Sequence, residues 1–175
     1  METVCSRCHA PLKVTQNGNG INGSIAYGIC HKCAGLLQQG EKKSARDFLE
    51  QFAFPVLLMM GGEPRTHIAN HHACDFLGKS LEAIEGKLGG DMIECVHARR
   101  AGGCGRHIHC KGCAVRKSVL YTFTTGKTLT HVPATLDLMP ENSMVTIRFM
   151  ISTEKVGDGV IVHLEKTAKA TAKAA

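Results

Sequence analysis

Eight of the nine cysteines in this 175-residue chain fall into two groups whose spacing suits metal ligation. In the first group, Cys5 and Cys8 are separated by two residues, and so are Cys30 and Cys33. Such a pair lets a tight turn aim both sulfurs at one point, and two such turns build a tetrahedral thiolate site for zinc. Gly18, Gly20 and Gly23 lie in the intervening loop and can absorb a gap slightly longer than the usual template. With four sulfurs completing the shell, His9 and His31 read as loop residues beside it. Cys5-Ser6-Arg7-Cys8-His9 also has the form of a c-type haem attachment motif. That reading requires export and leaves Cys30 and Cys33 unexplained, so structural zinc is preferred.

The second group is Cys95, Cys104, Cys110 and Cys113. Gly102, Gly103, Gly105 and Gly112 let the backbone turn sharply between them and bring amide N–H groups toward sulfur. Cys110 and Cys113 are expected at a helix N-terminus, where the helix dipole favours thiolate. No acidic residue occurs from Val96 to Lys117, whereas Arg99, Arg100, Arg106, Lys111, Arg116 and Lys117 are basic. That setting would offset the negative charge of four thiolates around zinc or an iron–sulfur core. Charge and spacing do not choose between these two, and a thiol–disulfide pair is a third possibility. The irregular spacing leans toward the cluster. His97, His107 and His109 are potential substitute ligands, each read individually as a loop histidine. Cys74 reads as a small buried hydrophobe.

The elements that must position these residues follow from periodicity and stop signals. A helix is expected from Ser44, with Asp47 as its capping partner, Phe48, Leu49 and Phe52 on one face, and Pro55 ending it. Residues 56–60 read as a buried strand stopped by Gly61-Gly62, and 66–69 as a short strand. Helices are expected at 71–77, closed by Gly78, at 80–85, closed by Gly86, and at 114–125, closed by Gly126. Alternation then predicts three strands, carrying Val132 to Leu138, Val145 to Ile151 and Val160 to Leu164, as antiparallel neighbours. Pro133 places the first at an edge or near its start. The fold class is therefore α+β, with helices gathered on one side of a five-stranded antiparallel sheet. Three regions separate: a four-cysteine module over 1–40, a larger domain over 41–167, and a low-complexity tail over 168–175, expected to be disordered.

The N-terminal module, with Cys-x2-Cys-His-Ala-Pro-Leu and later Gly-Ile-Cys-His-Lys-Cys, resembles a zinc ribbon. Residues 44–167 resemble a PAS domain through an ordered series of features. These are Phe54-Pro55-Val56-Leu57-Leu58-Met59 as first strand, Ile68-Ala69-Asn70 with Ala73 and Phe76-Leu77-Gly78, then Ile84-Glu85-Gly86-Lys87, and Gly159 to Thr167 as last strand and exit. The second cysteine group falls where PAS domains have variable middle helices and a loop, and looks like that of a cysteine-bearing subgroup. The resemblance implies a sensory module that holds a ligand or cofactor and often dimerises. Asn70 is read as a helix cap or turn residue. Helix 44–53 would be a flanking helix, used either for dimer contacts or for packing on its own sheet.

No apolar run approaches the roughly 20 residues needed to cross a bilayer. The N-terminus lacks a basic segment followed by an apolar one, so a reducing, cytoplasmic setting is expected. No Ser/His/Asp order, HExxH motif or phosphate loop is evident, and Cys110/Cys113 lacks the preceding strand of a thioredoxin-like unit. The expectation is thus a sensor or adaptor, not an enzyme, acting through a signalling-protein partner and changed dimerisation. A zinc-ribbon nucleic-acid-binding regulator is the alternative. The net charge of +6 and 5% aromatic content, with no recognition helix, make it the less favoured one.

Overall fold

A computed structural model describes residues 24–25, 29–30, 42–139 and 144–166. Cys5, Cys8 and Cys33, most of the expected zinc ribbon, and the 168–175 tail lie outside the described residues. From the N-terminal stretch come β1 (Ser24–Ile25) and β2 (Ile29–Cys30), paired antiparallel with Ser24 opposite Cys30.

Helix α1 (Lys42–Leu49) is followed by β3 (Val56–Met60) and β4 (Arg65–Ala69), then three short helices, α2 (His71–Leu77), α3 (Leu81–Ile84) and α4 (Gly89–Met92). A 3-10 turn at Ile108–Lys111 precedes α5 (Ala114–Thr125), and β5 (Leu129–Leu138), β6 (Val145–Val156) and β7 (Gly159–Lys166) complete the domain. The five long strands form one antiparallel sheet in the order β4-β3-β7-β6-β5. The sheet's first and last strands in sequence, β3 and β7, thus lie side by side, and β5, carrying Pro133, is at an edge. Gly78 and Gly126 close α2 and α5 in the left-handed conformation, as expected for glycine stops.

The helix arrangement corrects one expectation. Leu57, Met59, Val160 and Val162 pack in the core that includes Ala73, Ile84, Met92 and Val119 from α2 to α5. The alternate residues Val56, Leu58 and Ile161 face the other way, against Ala45, Phe48, Leu49 and Phe52. Helices therefore cover both faces, four on one and α1 on the other. The reason is in β3 and β7: each is apolar at successive positions, so both of its faces must leave water. Burying a Phe or Leu side chain there contributes about 1.5–3 kcal/mol.

Helix α1 also begins earlier and ends sooner than its sequence signals suggest. Ser44 lies inside it, so Ser44 and Asp47 are not its capping pair, and it stops at Leu49 rather than at Pro55. Asn70 explains the early stop. Its side-chain N–H groups donate to the Leu49, Phe52 and Phe54 carbonyls, the Leu49 carbonyl also taking the Phe52 N–H in the turn that ends the helix. Its Oδ1 accepts from Val56 N–H and, as the cap of α2, from Ala73 N–H. The same residue fixes α1, β3 and α2 together.

Strand β6 runs five residues beyond Ile151, the last alternating residue of the sequence reading. There both faces are buried, and Ser152, Thr153 and Glu154 are enclosed with the apolar residues. The Thr153 hydroxyl is satisfied by Thr122 at 2.8 Å. Among the described residues, no helix is long and apolar enough to cross a membrane.

Candidate functional site

The segment between α4 and α5 has few regular elements, and all four cysteines of the second group belong to it. They line one cavity of about 440 Å³. Its apolar floor is Met59, Val115, Val119 and Leu136; Cys95, Cys104, Cys110 and Cys113 stand on its wall with His97, His109 and Arg116. Cavities of several hundred Å³ with an apolar lining and a few convergent polar groups are what ligand sites look like in general.

Each cysteine is placed by a distinct local device. Cys95 is tied to the sheet: it bridges Leu138 of β5, its N–H donates to the Gly90 carbonyl, and the following Val96 N–H donates to the Asp137 carbonyl. Just before it, Glu94 takes a positive φ of 56°, a conformation rare for a side chain with a Cβ. Its carboxylate pairs with Lys79 and, at 2.8 Å, with Arg99, which fixes the strained turn. Cys104 receives the Gly90 N–H on its sulfur at 3.2 Å. Cys110, in the 3-10 turn, receives the Gly105 N–H at 3.3 Å. Cys113 is the N-cap residue of α5, as the sequence predicts for the pair's second member, whereas Cys110 lies in the preceding turn.

Two glycines make these contacts possible. A Cβ on Gly90 would fall 2.8 Å from the Cys104 sulfur. At Gly105, φ is +89° and a Cβ would fall 2.6 Å from an Arg116 guanidinium nitrogen. The second contact puts a fixed cation beside the loop that carries Cys104 and Cys110. The basic setting is therefore present, but acidic groups come from outside the 96–117 segment: Asp137 lines the cavity and Asp91 acts on Cys104. Burial pushes the Cys104 thiol up from its ordinary value, and Asp91, Cys110 and Cys113 push it further, against the pull of the Gly90 N–H. Without a positive occupant this sulfur holds its proton.

Beside the cysteines, His97, His107 and His109 come together, with ligand nitrogens all within 4.8 Å of one another. The four sulfurs form no group so close; they surround space instead of meeting at a point. Burial pushes His107 below its usual value, with Arg100 and the other two imidazoles adding to the shift. From sequence these are potential substitute ligands, each read singly as a loop histidine; their convergence into one cluster is made by the fold. Gly90, Asp91 and Asp137 were missed, since their approach to the cysteines is made by the fold.

The other singled-out residues have plainer places. Cys30 ends β2, half-buried against the α1 core. Cys74 is half-buried against the opposite core, where burial raises its thiol, helped by Glu50.

No protein-family model and no curated protein matches the sequence. Among solved structures, the chain is similar to the RsLOV d2 variant at 13% identity and a TM-score of 0.50, over 73% of this chain and 67% of that one. Similarity to the Rhodobacter sphaeroides LOV protein stands at 13% identity and 0.48, over 74% and 68%. For the PAS domain of Bordetella pertussis BvgS the figures are 13% and 0.44, over 73% and 86%. Identities this low bear on the fold alone. With the strand order β4-β3-β7-β6-β5 and helices α2 to α5 on one face, the RsLOV d2 likeness gives the described chain a PAS-like fold.

Proposed function

We propose that this chain is a PAS-type sensor or adaptor rather than an enzyme, holding an iron–sulfur cluster on Cys95, Cys104, Cys110 and Cys113. The observation that carries the proposal is the convergence of these four cysteines, spread over nineteen positions of sequence, on one cavity wall. Two backbone N–H groups already point at sulfur, the kind of contact that tunes cluster potentials. The wide arrangement suits a cluster of several metal atoms, because a single tetrahedral zinc needs its sulfurs roughly 3.8 Å apart. When bound, the cluster supplies a reversible one-electron change. The protein's part is to hold four thiolates, to balance their charge with Arg116, and to keep water from the apolar floor.

Residues 1–40 are read as a structural zinc module on Cys5, Cys8, Cys30 and Cys33, and 41–167 as the sensory domain. A signalling-protein partner is part of this reading. Homodimerisation and a reducing, cytoplasmic setting belong to the same proposal.

The test is anaerobic purification with an absorption spectrum and analysis of iron, sulfide and zinc. Broad visible absorption with matched iron and sulfide is expected, lost in Cys110→Ser while zinc at the N-terminal module persists. A colourless protein carrying two zinc ions per chain would replace the cluster by zinc at the same four cysteines. Retention of full iron content in both Cys110→Ser and Cys104→Ser would remove the site.

A further inference from the structure

We propose that His97, His107 and His109 form a second metal site, a three-imidazole site for a zinc-like divalent ion at the rim of the cysteine cavity. The site does not depend on the occupant of the thiolate group. Three observations carry it. The ring centroids form a triangle with sides of 4.5, 5.0 and 5.1 Å. Imidazoles that share one tetrahedral ion at about 2.0–2.1 Å hold their centroids roughly 5 Å apart, so the rings already stand at ligand spacing. The donor nitrogens lie within 4.8 Å of one another and need only ring tilts to converge. His97 Nδ1 is buried with no partner among the described residues, a cost that a metal ion or its tautomer-fixing neighbour would remove.

Ordinary structural roles account poorly for the cluster. Among the described residues none of the three rings is in an ion pair with a carboxylate. Their one hydrogen bond, from His109 N–H to His107 Nδ1, is 3.5 Å long and at the outer limit of such contacts. Three rings stacked on one another gain little from that contact unless a cation shares their lone pairs. Imidazole ligands suit zinc, copper, nickel and iron, and exposed His109 leaves one side of the ion open to water. Such an ion would tie the loop after Cys95 to the 3-10 turn that bears Cys110, closing the cavity rim.

The experiment uses the full chain, stripped of metal, reduced and kept anaerobic, and titrated with zinc chloride by calorimetry. A Cys110→Ser/Cys113→Ser background should retain a binding step besides that of the N-terminal module. Adding His109→Ala or His107→Gln should weaken that step at least about tenfold, since losing even an outer-shell partner costs about 10–100-fold. Because His109 is exposed, its variant keeps the fold, and circular dichroism checks this. In the same titration, the ring-proton resonances of the three histidines should shift together. A step unchanged by both histidine variants, or no step remaining once Cys110 and Cys113 are replaced, would overturn the proposal.

Discussion

Asn70 and His97 both carry buried polar atoms in the same domain, and their circumstances are opposite. The Asn70 side chain makes five hydrogen bonds, using its oxygen twice and sharing its amide hydrogens among three carbonyls. His97 Nδ1 is buried with none among the described residues. Around Asn70 the chain is regular and its neighbours are fixed strands and helix ends. Around His97 it is a glycine-rich loop, with Gly102, Gly103 and Gly105 all at positive φ. Satisfied polar groups hold a fold in one shape, whereas unsatisfied ones next to a cavity are unfinished until something binds. The comparison separates the part of the domain that is architecture from the part that is site.

The largest effect should come from breaking the architectural centre. At a fully buried position, Asn70→Ala takes a partner from the Val56 N–H and from the Phe52 and Phe54 carbonyls, while the Ala73 N–H keeps the residue-70 carbonyl and the Leu49 carbonyl keeps the Phe52 N–H. Each buried group left unpaired costs about 1–3 kcal/mol, and partial rearrangement brings the expected total to roughly 3–5 kcal/mol. Urea unfolding measures it. A loss below about 1 kcal/mol would mean that the amide is ornamental and the contrast with His97 empty. Metal bound per folded chain should stay constant, because Asn70 is not among the residues lining the cysteine cavity.

A middle-sized effect is expected at the site itself, with the balance reversed. Gly105→Ala must accommodate a Cβ at φ +89° against the Arg116 guanidinium, and Gly90→Ala one against the Cys104 sulfur. Overpacking and strain of this kind cost about 1–3 kcal/mol each. Metal content should fall out of proportion to stability, since both glycines donate their N–H to a site sulfur. If folded Gly90→Ala and Gly105→Ala bind as much metal as the parent chain, the sulfur contacts are incidental.

This contrast also marks what could be read from sequence. Elements held by local signals were legible: α2 with Asn70 before it and Gly78 after it, α5 with Gly126, and the alternation that gave β5 and β6 their place. The position of α1 on the far face was legible but misjudged. Val56 to Met60 is apolar at every position, which already requires cover on both sides. Helix α4 escaped because it opens on Gly89-Gly90, poor helix formers, of which Gly90 makes the approach to Cys104 fourteen residues later. The four cysteines were visible as a group by type, whereas the three histidines were visible as potential substitute ligands one by one and not as a triad. It depends on a 3-10 turn and a bend after Cys95, neither of which has a residue pattern of its own.

The smallest effect concerns a histidine on the architectural side, and it tests whether imidazoles there are as settled as Asn70. His163 in β7 packs on Phe54 with ring centroids 4.2 Å apart and the rings tilted by 40°, and lies 3.3 Å from Glu165. Burial lowers its pKa, against the upward pull of Glu165 and with a further lowering by His131. The folded chain therefore takes up this proton less readily than the unfolded chain, whose histidines titrate near about 6.5. Above that pH both states are neutral at this ring and it adds no pH dependence. As pH falls below about 6.5 the unfolded chain binds the proton first, so stability declines until the folded ring also titrates. His163→Phe keeps an aromatic ring against Phe54 and removes the proton. Its unfolding free energy should fall less steeply than that of the parent chain from about pH 6.5 to about pH 5. Parallel curves would show that β7 holds His163 as readily charged as neutral, and would blur the line between the two halves of the domain.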